Sequence, residues 1–188
     1  MTLSTPPVST ISESAAGSDT PSTTLTNLKT VTPLTVFFYT GAIMSQEIKL
    51  TITVNSVIDN LDDSGLPEGD PEINIFTTNG TLLVNDRGKK LTFTEVSEDS
   101  VTKSALYISD KKILLQKRGA IESDMTFIEN EDSKTVYRVG PYAFDMVVRT
   151  KKIRNSLTDN GGELSLLYTM NVGGQEKNVR MKITAKRK

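Results

Sequence analysis

The chain becomes regular at residues 48–55, which read IKLTITVN. Apolar side chains alternate with polar ones here, and the apolar ones are Ile48, Leu50, Ile52 and Val54. Alternation with a period of two predicts a β-strand that has one face buried and the other in solvent. The stretch therefore predicts a sheet protein that begins near Met44.

The same pattern continues to the C-terminus as short alternating segments separated by turn residues. No segment has the spacing of a long amphipathic helix. Serial hairpins of this kind predict an all-β fold, an up-and-down antiparallel barrel of about 8–10 strands, with a two-sheet sandwich as the alternative. The predicted turns are Asn79-Gly80 (a hairpin or a bulge), Arg87-Gly88, Asp110-Lys111, residues 129–133, Gly140-Pro141, residues 158–162 and Gly173-Gly174.

Residues 1–43 differ in kind from the rest of the chain. They contain 17 Ser or Thr, four Pro and only three charged residues, without any period. Such a segment buries too little to offset its ordering entropy, so we expect it to be disordered. Because Thr40-Gly41-Ala42 can be encoded with a ribosome-binding AGGAG shortly before Met44, we interpret residues 1–43 as a translated leader. The single barrel domain would then be 44–188. The alternative is a genuine disordered extension of the protein.

The composition excludes the commonest catalytic and metal-binding chemistry. The 188 residues carry a net charge of −1 and include no cysteine and no histidine. Histidine is the usual general base near neutral pH and the commonest transition-metal ligand. We therefore expect no enzyme, no metal and no cofactor. Residues 59–70 are acidic but fit no register of a calcium loop, and we expect a solvated loop there.

Several segments of the patterned region resemble a known family. They are FTTNG, LTFTE, KRGAI, VYRV and LLYTMNVGGQE, in matching order from about Ile48 to the C-terminus. They are similar to the YwiB-like family of uncharacterised bacterial proteins, which are calycin-type, lipocalin-like β-barrels. The resemblance implies a cytoplasmic bacterial barrel without a known activity or established site residues.

Strand parity suggests a polar site inside the barrel. Glu95 shares a face with Leu91 and Phe93, and Lys117 shares a face with Ile113 and Leu115. If the apolar residues face inward, both charges do too, and buried charges are rare unless paired. We therefore predict that Glu95 and Lys117 meet in or near the lumen, with Tyr168 as a third inward polar residue. The alternative is that both charges lie at a strand end, in solvent or in a structural ion pair.

Three classes of function follow from this pattern. The first is a binding module that holds a small apolar or amphipathic ligand in the barrel, at Glu95, Lys117 and Tyr168. The second is a packed barrel whose outer surface binds a protein partner or a second copy. The third is an enzyme that uses Glu, Lys and Tyr.

Membranes and nucleic acid are disfavoured as partners. Residues 31–43, the most apolar stretch, are too short to cross a bilayer and contain Pro33. The basic stretches 149–154 and 180–188 have no interleaved aromatic residues for base stacking. We therefore expect a cytoplasmic protein whose basic stretches lie on a solvated outer face.

Overall fold

A computed structural model describes residues 46–86 and 88–188. The segment predicted as a disordered leader, residues 1–43, lies outside the described residues. The described residues form ten β-strands. These are β1 (Gln46–Leu61), β2 (Pro67–Asn85), β3 (Gly88–Ser97), β4 (Ser100–Ile108), β5 (Ile113–Gly119), β6 (Ile121–Phe127), β7 (Asp132–Val139), β8 (Tyr142–Asn155), β9 (Gly161–Val172) and β10 (Gln175–Arg187).

The strands close into one antiparallel barrel. Each strand pairs with the next along the chain, and β10 returns to pair with β1. The closing register runs from Leu50 opposite Arg187 to Asn60 opposite Lys177. The prediction of an up-and-down barrel is therefore confirmed, and the alternative of a two-sheet sandwich is wrong. All five hairpins that follow odd-numbered strands lie at one end of the barrel.

Glycines make the tightest turns, as the sequence predicts. Gly140 and Gly173 adopt positive φ angles of 55° and 59°, between β7 and β8 and between β9 and β10. A residue without Cβ enters this region at little cost. The β8–β9 connection ends similarly at Gly161, with φ of 104°.

The prediction of a hairpin or bulge at Asn79-Gly80 is wrong. The dipeptide lies within β2, which is one strand of 19 residues, and its register against β1 is continuous there. A Cβ on Gly80 would lie 2.5 Å from the carbonyl oxygen of Thr92 and 2.8 Å from Cγ1 of Ile52. Gly80 therefore allows β2 to lie close to Thr92 of β3 and Ile52 of β1, and close backbone approach is another common reason for a glycine within a strand.

The acidic stretch 59–70 is mostly strand and not a long loop. β1 continues to Leu61 and β2 begins at Pro67, so the connection is short. The Asp62 carboxylate accepts hydrogen bonds from the backbone N–H groups of Ser64 and Leu66, both at 2.9 Å. This local capping tightens the turn and lets the two strands pair almost to their ends.

The barrel interior is divided along its axis. One half of the barrel lies away from the five hairpins that follow odd-numbered strands. In this half, eight apolar side chains are almost completely buried and fill the interior: Leu50, Leu82, Leu91, Leu106, Ile113, Phe127, Leu157 and Leu164. The Lys89 ammonium donates to the carbonyl of Leu157 and fastens the β8–β9 connection over this closed end. The other end is open.

The wall of the open half is interrupted between β2 and β3. Their pairing runs only from Gly80–Phe93 to Asn85–Gly88. Residues 67, 68 and 72–79 of β2 therefore pair with β1 alone. Two apolar side chains of this segment, Ile73 and Ile75, are 59% and 63% exposed.

Candidate ligand cavity

A cavity of about 510 Å³ occupies the open half of the barrel. Its volume falls in the usual range of small-molecule sites, about 300–1,000 Å³. The lining is mainly apolar and includes four methionines, which adapt readily to irregular ligands. The methionines are Met125, Met146, Met170 and Met181.

An ion pair lies in the cavity wall. The Lys117 ammonium donates to both carboxylate oxygens of Glu95, at 3.0 Å and 3.2 Å. The Ser104 hydroxyl donates to the same carboxylate at 3.0 Å. The Lys117 and Glu95 side chains are 16% and 24% exposed. The structure thus places together the two charges predicted to meet near the lumen.

Strand register explains why these three side chains meet. Ser104 lies between Phe93 of β3 and Lys117 of β5 in the register of β4. Glu95 is two residues beyond Phe93, on the same inward face, so it is diagonal to Ser104. Diagonal neighbours in antiparallel pairs are about 7–8 Å apart between backbones, within reach of long side chains.

Tyr168, the third predicted residue, is deeper in the cavity. The residue is 3% exposed, and its ring packs edge-on against Phe127 with 5.0 Å between centroids. Burial raises the pKa of its phenol well above the ordinary value. No hydrogen bond to its hydroxyl is found among the described residues. Tyr168 therefore contacts the same cavity as the ion pair but is not bonded to it.

Several polar residues of the cavity were missed by strand parity. Glu72 and Asn74 come from the β2 segment that extends past β3, and Tyr137 comes from β7. Residues 72–75 alternate in the sequence, but their apolar members Ile73 and Ile75 are exposed, so parity predicts the wrong face for Glu72 and Asn74. Residues 135–137 of β7 are all half-buried and show no alternation. Ser104 could have been found, because it shares its parity with the apolar Leu106.

Ser123 provides an unsatisfied polar atom beside the ion pair. It is opposite Lys117 in the β5–β6 register and lies between the cavity residues Ile121 and Met125 on the inward face of β6. The residue is 4% exposed and its Oγ has no partner. Buried polar groups normally have a partner, so this hydroxyl is an exception, and it lies beside the ion pair but outside the cavity lining.

The arrangement is suited to orienting a ligand. A mainly apolar enclosure with a few fixed polar groups is the usual construction of such sites. Within residues 46–86 and 88–188 no group of three or more His, Cys, Asp or Glu is placed to hold a metal. The same residues contain no helix long and apolar enough to cross a membrane.

The fold and cavity define a closed antiparallel β-barrel with an internal chamber that opens at one end. Residues 52–184 match the family described as "Domain of unknown function (DUF1934)". The chain belongs to this family.

One relative of this chain has a crystal structure. The chain is 25% identical over 136 residues to the uncharacterised β-barrel protein YwiB of Bacillus subtilis strain 168, covering 72% of this chain and 91% of that protein. The crystal structure of YwiB from Bacillus subtilis aligns with a TM-score of 0.66 and 25% identity, over 77% of this chain and 95% of that one. The predicted resemblance to the YwiB-like family is confirmed. YwiB is itself uncharacterised, so these relatives assign no activity.

Proposed function

We propose that the protein is a non-enzymatic binding module for a small apolar or amphipathic molecule held in the open half of the barrel. The division of the interior carries this proposal. A barrel that needed only a core would be packed along its whole axis, as protein interiors are. This barrel is packed in its closed half, whereas its open half encloses about 510 Å³.

The polar groups of the cavity support the same function. Glu95, Lys117 and Ser104 form one bonded group at the wall. Tyr168, which also lines the cavity, adds a hydroxyl without a partner among the described residues. Such groups fix the orientation of a ligand whose apolar body fills the remaining space. The proposal places this module in the bacterial cytoplasm, the compartment expected from the sequence.

The experiment is a titration with the neutral apolar fluorophore N-phenyl-1-naphthylamine. We expect its emission to rise on binding to the full chain. Ser56 lines the cavity and is half-buried, so Ser56→Phe should fill part of the chamber and weaken binding by about tenfold or more. Thr51→Phe, on the same strand but facing outward, is the matched control and should bind like the unaltered chain.

Two results would overturn the proposal. One is the absence of saturable probe binding to the folded, unaltered chain. The other is equal weakening by Ser56→Phe and Thr51→Phe, since the probe would then bind the outer surface of the sheet.

The second candidate function is a protein-interaction barrel, and the free edge of β2 favours it. Residues 67–79 have no partner on the β3 side, and exposed strand edges pair readily with other strands. An antiparallel β2–β2 pair between two copies would cover Ile73 and Ile75. Sedimentation velocity tests this, because Ile75→Lys should convert such a dimer to a monomer. If the unaltered chain is already monomeric, this pairing between two copies is excluded.

A further inference from the structure

The charges of the barrel are separated along its axis. The five hairpins at the open end contain thirteen acidic and six basic residues. The rest of the described barrel contains more basic than acidic residues. The near-zero net charge of the chain therefore conceals an acidic end at the mouth of the cavity. The hairpins counted are residues 58–72, 95–103, 117–124, 138–145 and 171–180.

Three of the charged residues counted in these hairpins line the cavity itself. Its lining includes two carboxylates, Glu72 and Glu95, but one ammonium, Lys117. Tyr137, which also lines it, has its pKa raised by burial first and then by the fields of Glu72 and Glu95. Lys117 is bonded to Glu95. The Glu72 carboxylate is exposed and accepts a hydrogen bond from the Asn74 side-chain amide at 2.7 Å, and no ion pair to it is found among the described residues.

The Glu95 carboxylate retains capacity to accept a further hydrogen bond. Oε1 receives Ser104 and Lys117, whereas Oε2 receives Lys117 alone. An ionised carboxylate offers about four acceptor sites. A ligand N–H group would find acceptors here.

An anionic head group would be poorly placed in the same position. Lys117 already makes two bonds to Glu95, so an added anion would bring a third negative charge into a lining that holds one ammonium. Like charges within a few ångströms cost free energy, and more so where water is partly excluded. A cation would instead leave the cavity close to neutral.

We propose that the ligand is a cationic amphiphile, with its protonated amine between Glu95 and Glu72 and its hydrocarbon body against the methionine-rich wall. This rests on the proposed binding function and adds the chemical class of the ligand. The acidic hairpins at the mouth attract such a molecule and raise its local concentration.

The experiment uses three molecules that share one ten-carbon chain: decylamine, decanol and decanoate. Each displaces N-phenyl-1-naphthylamine from the full chain at pH 7, below its micelle concentration. A primary amine is protonated at this pH, because its pKa resembles that of lysine, about 10.4. We expect decylamine to bind about tenfold more tightly than decanoate, with decanol between them, which corresponds to about 1.4 kcal/mol.

Two substitutions test which carboxylate causes the preference for the amine. Glu72→Gln should reduce the preference for decylamine over decanol about threefold, because a charge in the lining is removed. Glu98→Gln removes the same charge from the β3–β4 hairpin, outside the cavity lining, and should change the preference less.

The outcomes separate the two proposals. If decanoate binds as tightly as decylamine or more tightly, or if Glu98→Gln acts as strongly as Glu72→Gln, the cationic class is wrong while the cavity stands. If the fluorophore itself does not bind the folded chain, the binding function fails as well.

Discussion

At the scale of single residues, the Glu95–Lys117 pair is the part of the site that the sequence predicts best. Successive side chains of a strand point to opposite faces in any tertiary fold, so alternation alone predicts that both charges face inward. Parity does not specify how far along the barrel a residue lies. Ser104 and Ser123 join the site through register across three strands, and register is set by tertiary pairing.

We predict that the pair is coupled energetically. Lys117→Met leaves the Glu95 carboxylate with Ser104 alone, and Glu95→Gln leaves an unpaired ammonium. Because both side chains keep partial contact with water, 16% and 24% exposed, each substitution should lower the free energy of unfolding by about 1–2 kcal/mol. The double variant should lose less than the sum. Urea denaturation of the four proteins measures the cycle, and strict additivity would contradict the coupling.

We predict that Tyr168 makes the barrel sensitive to alkali. Burial raises its pKa in the folded state, so its contribution to stability is full below the unfolded-state pKa of about 10 and is lost as pH rises above it. Tyr168→Phe should unfold like the original at pH 7 within about 1 kcal/mol, since the hydroxyl has no partner. Its stability should fall less between pH 9 and pH 11. Parallel slopes for both proteins would show that Tyr168 ionises freely in the fold.

At the scale of elements, β2 shows where local sequence signals fail. Asn-Gly is the strongest short-range hairpin signal, yet here it lies inside a 19-residue strand. The dipeptide permits a turn without requiring one. The pairing of β2 with β1, which continues through residues 77–81, outweighs it. The acidic stretch 59–70, predicted as a loop, is mostly strand for the same reason, because cross-strand pairing overrides low strand propensity.

We predict that Gly80 is required for close packing. Gly80→Val would push a side chain into the Thr92 carbonyl and Ile52, at 2.5 Å and 2.8 Å even for its Cβ. Overpacking of this kind typically costs about 1–3 kcal/mol. The adjacent Asn79→Val is the control, because Asn79 is exposed and valine favours strands. Thermal unfolding compares the two, and equal melting temperatures would argue against a close approach at Gly80.

At the scale of the whole molecule, the barrel is polarised in both packing and charge. One end is packed and predominantly basic, and the other is open and acidic. Serial hairpins bring every second turn to the same end, so the charge separation could be counted from the sequence once the strands are known. The cavity could not, because alternation specifies which residues face inward but not whether they fill the interior.

The seam between β1 and β10 should hold the whole barrel closed. A chain that ends at Lys182 lacks the partners of Leu50 to Val54 together with the buried Ile183 and Ala185. This exposes an edge of β1 and opens the packed half to water, and each lost large core side chain alone costs about 2–5 kcal/mol. We therefore expect the truncated chain to lose its cooperative thermal transition, as followed by circular dichroism. A chain that ends at Lys186 keeps Ile183 and Ala185 and should melt cooperatively. If the shorter chain also melted cooperatively at the original temperature, the stability of the barrel would reside in β2–β9, and the seam would be dispensable.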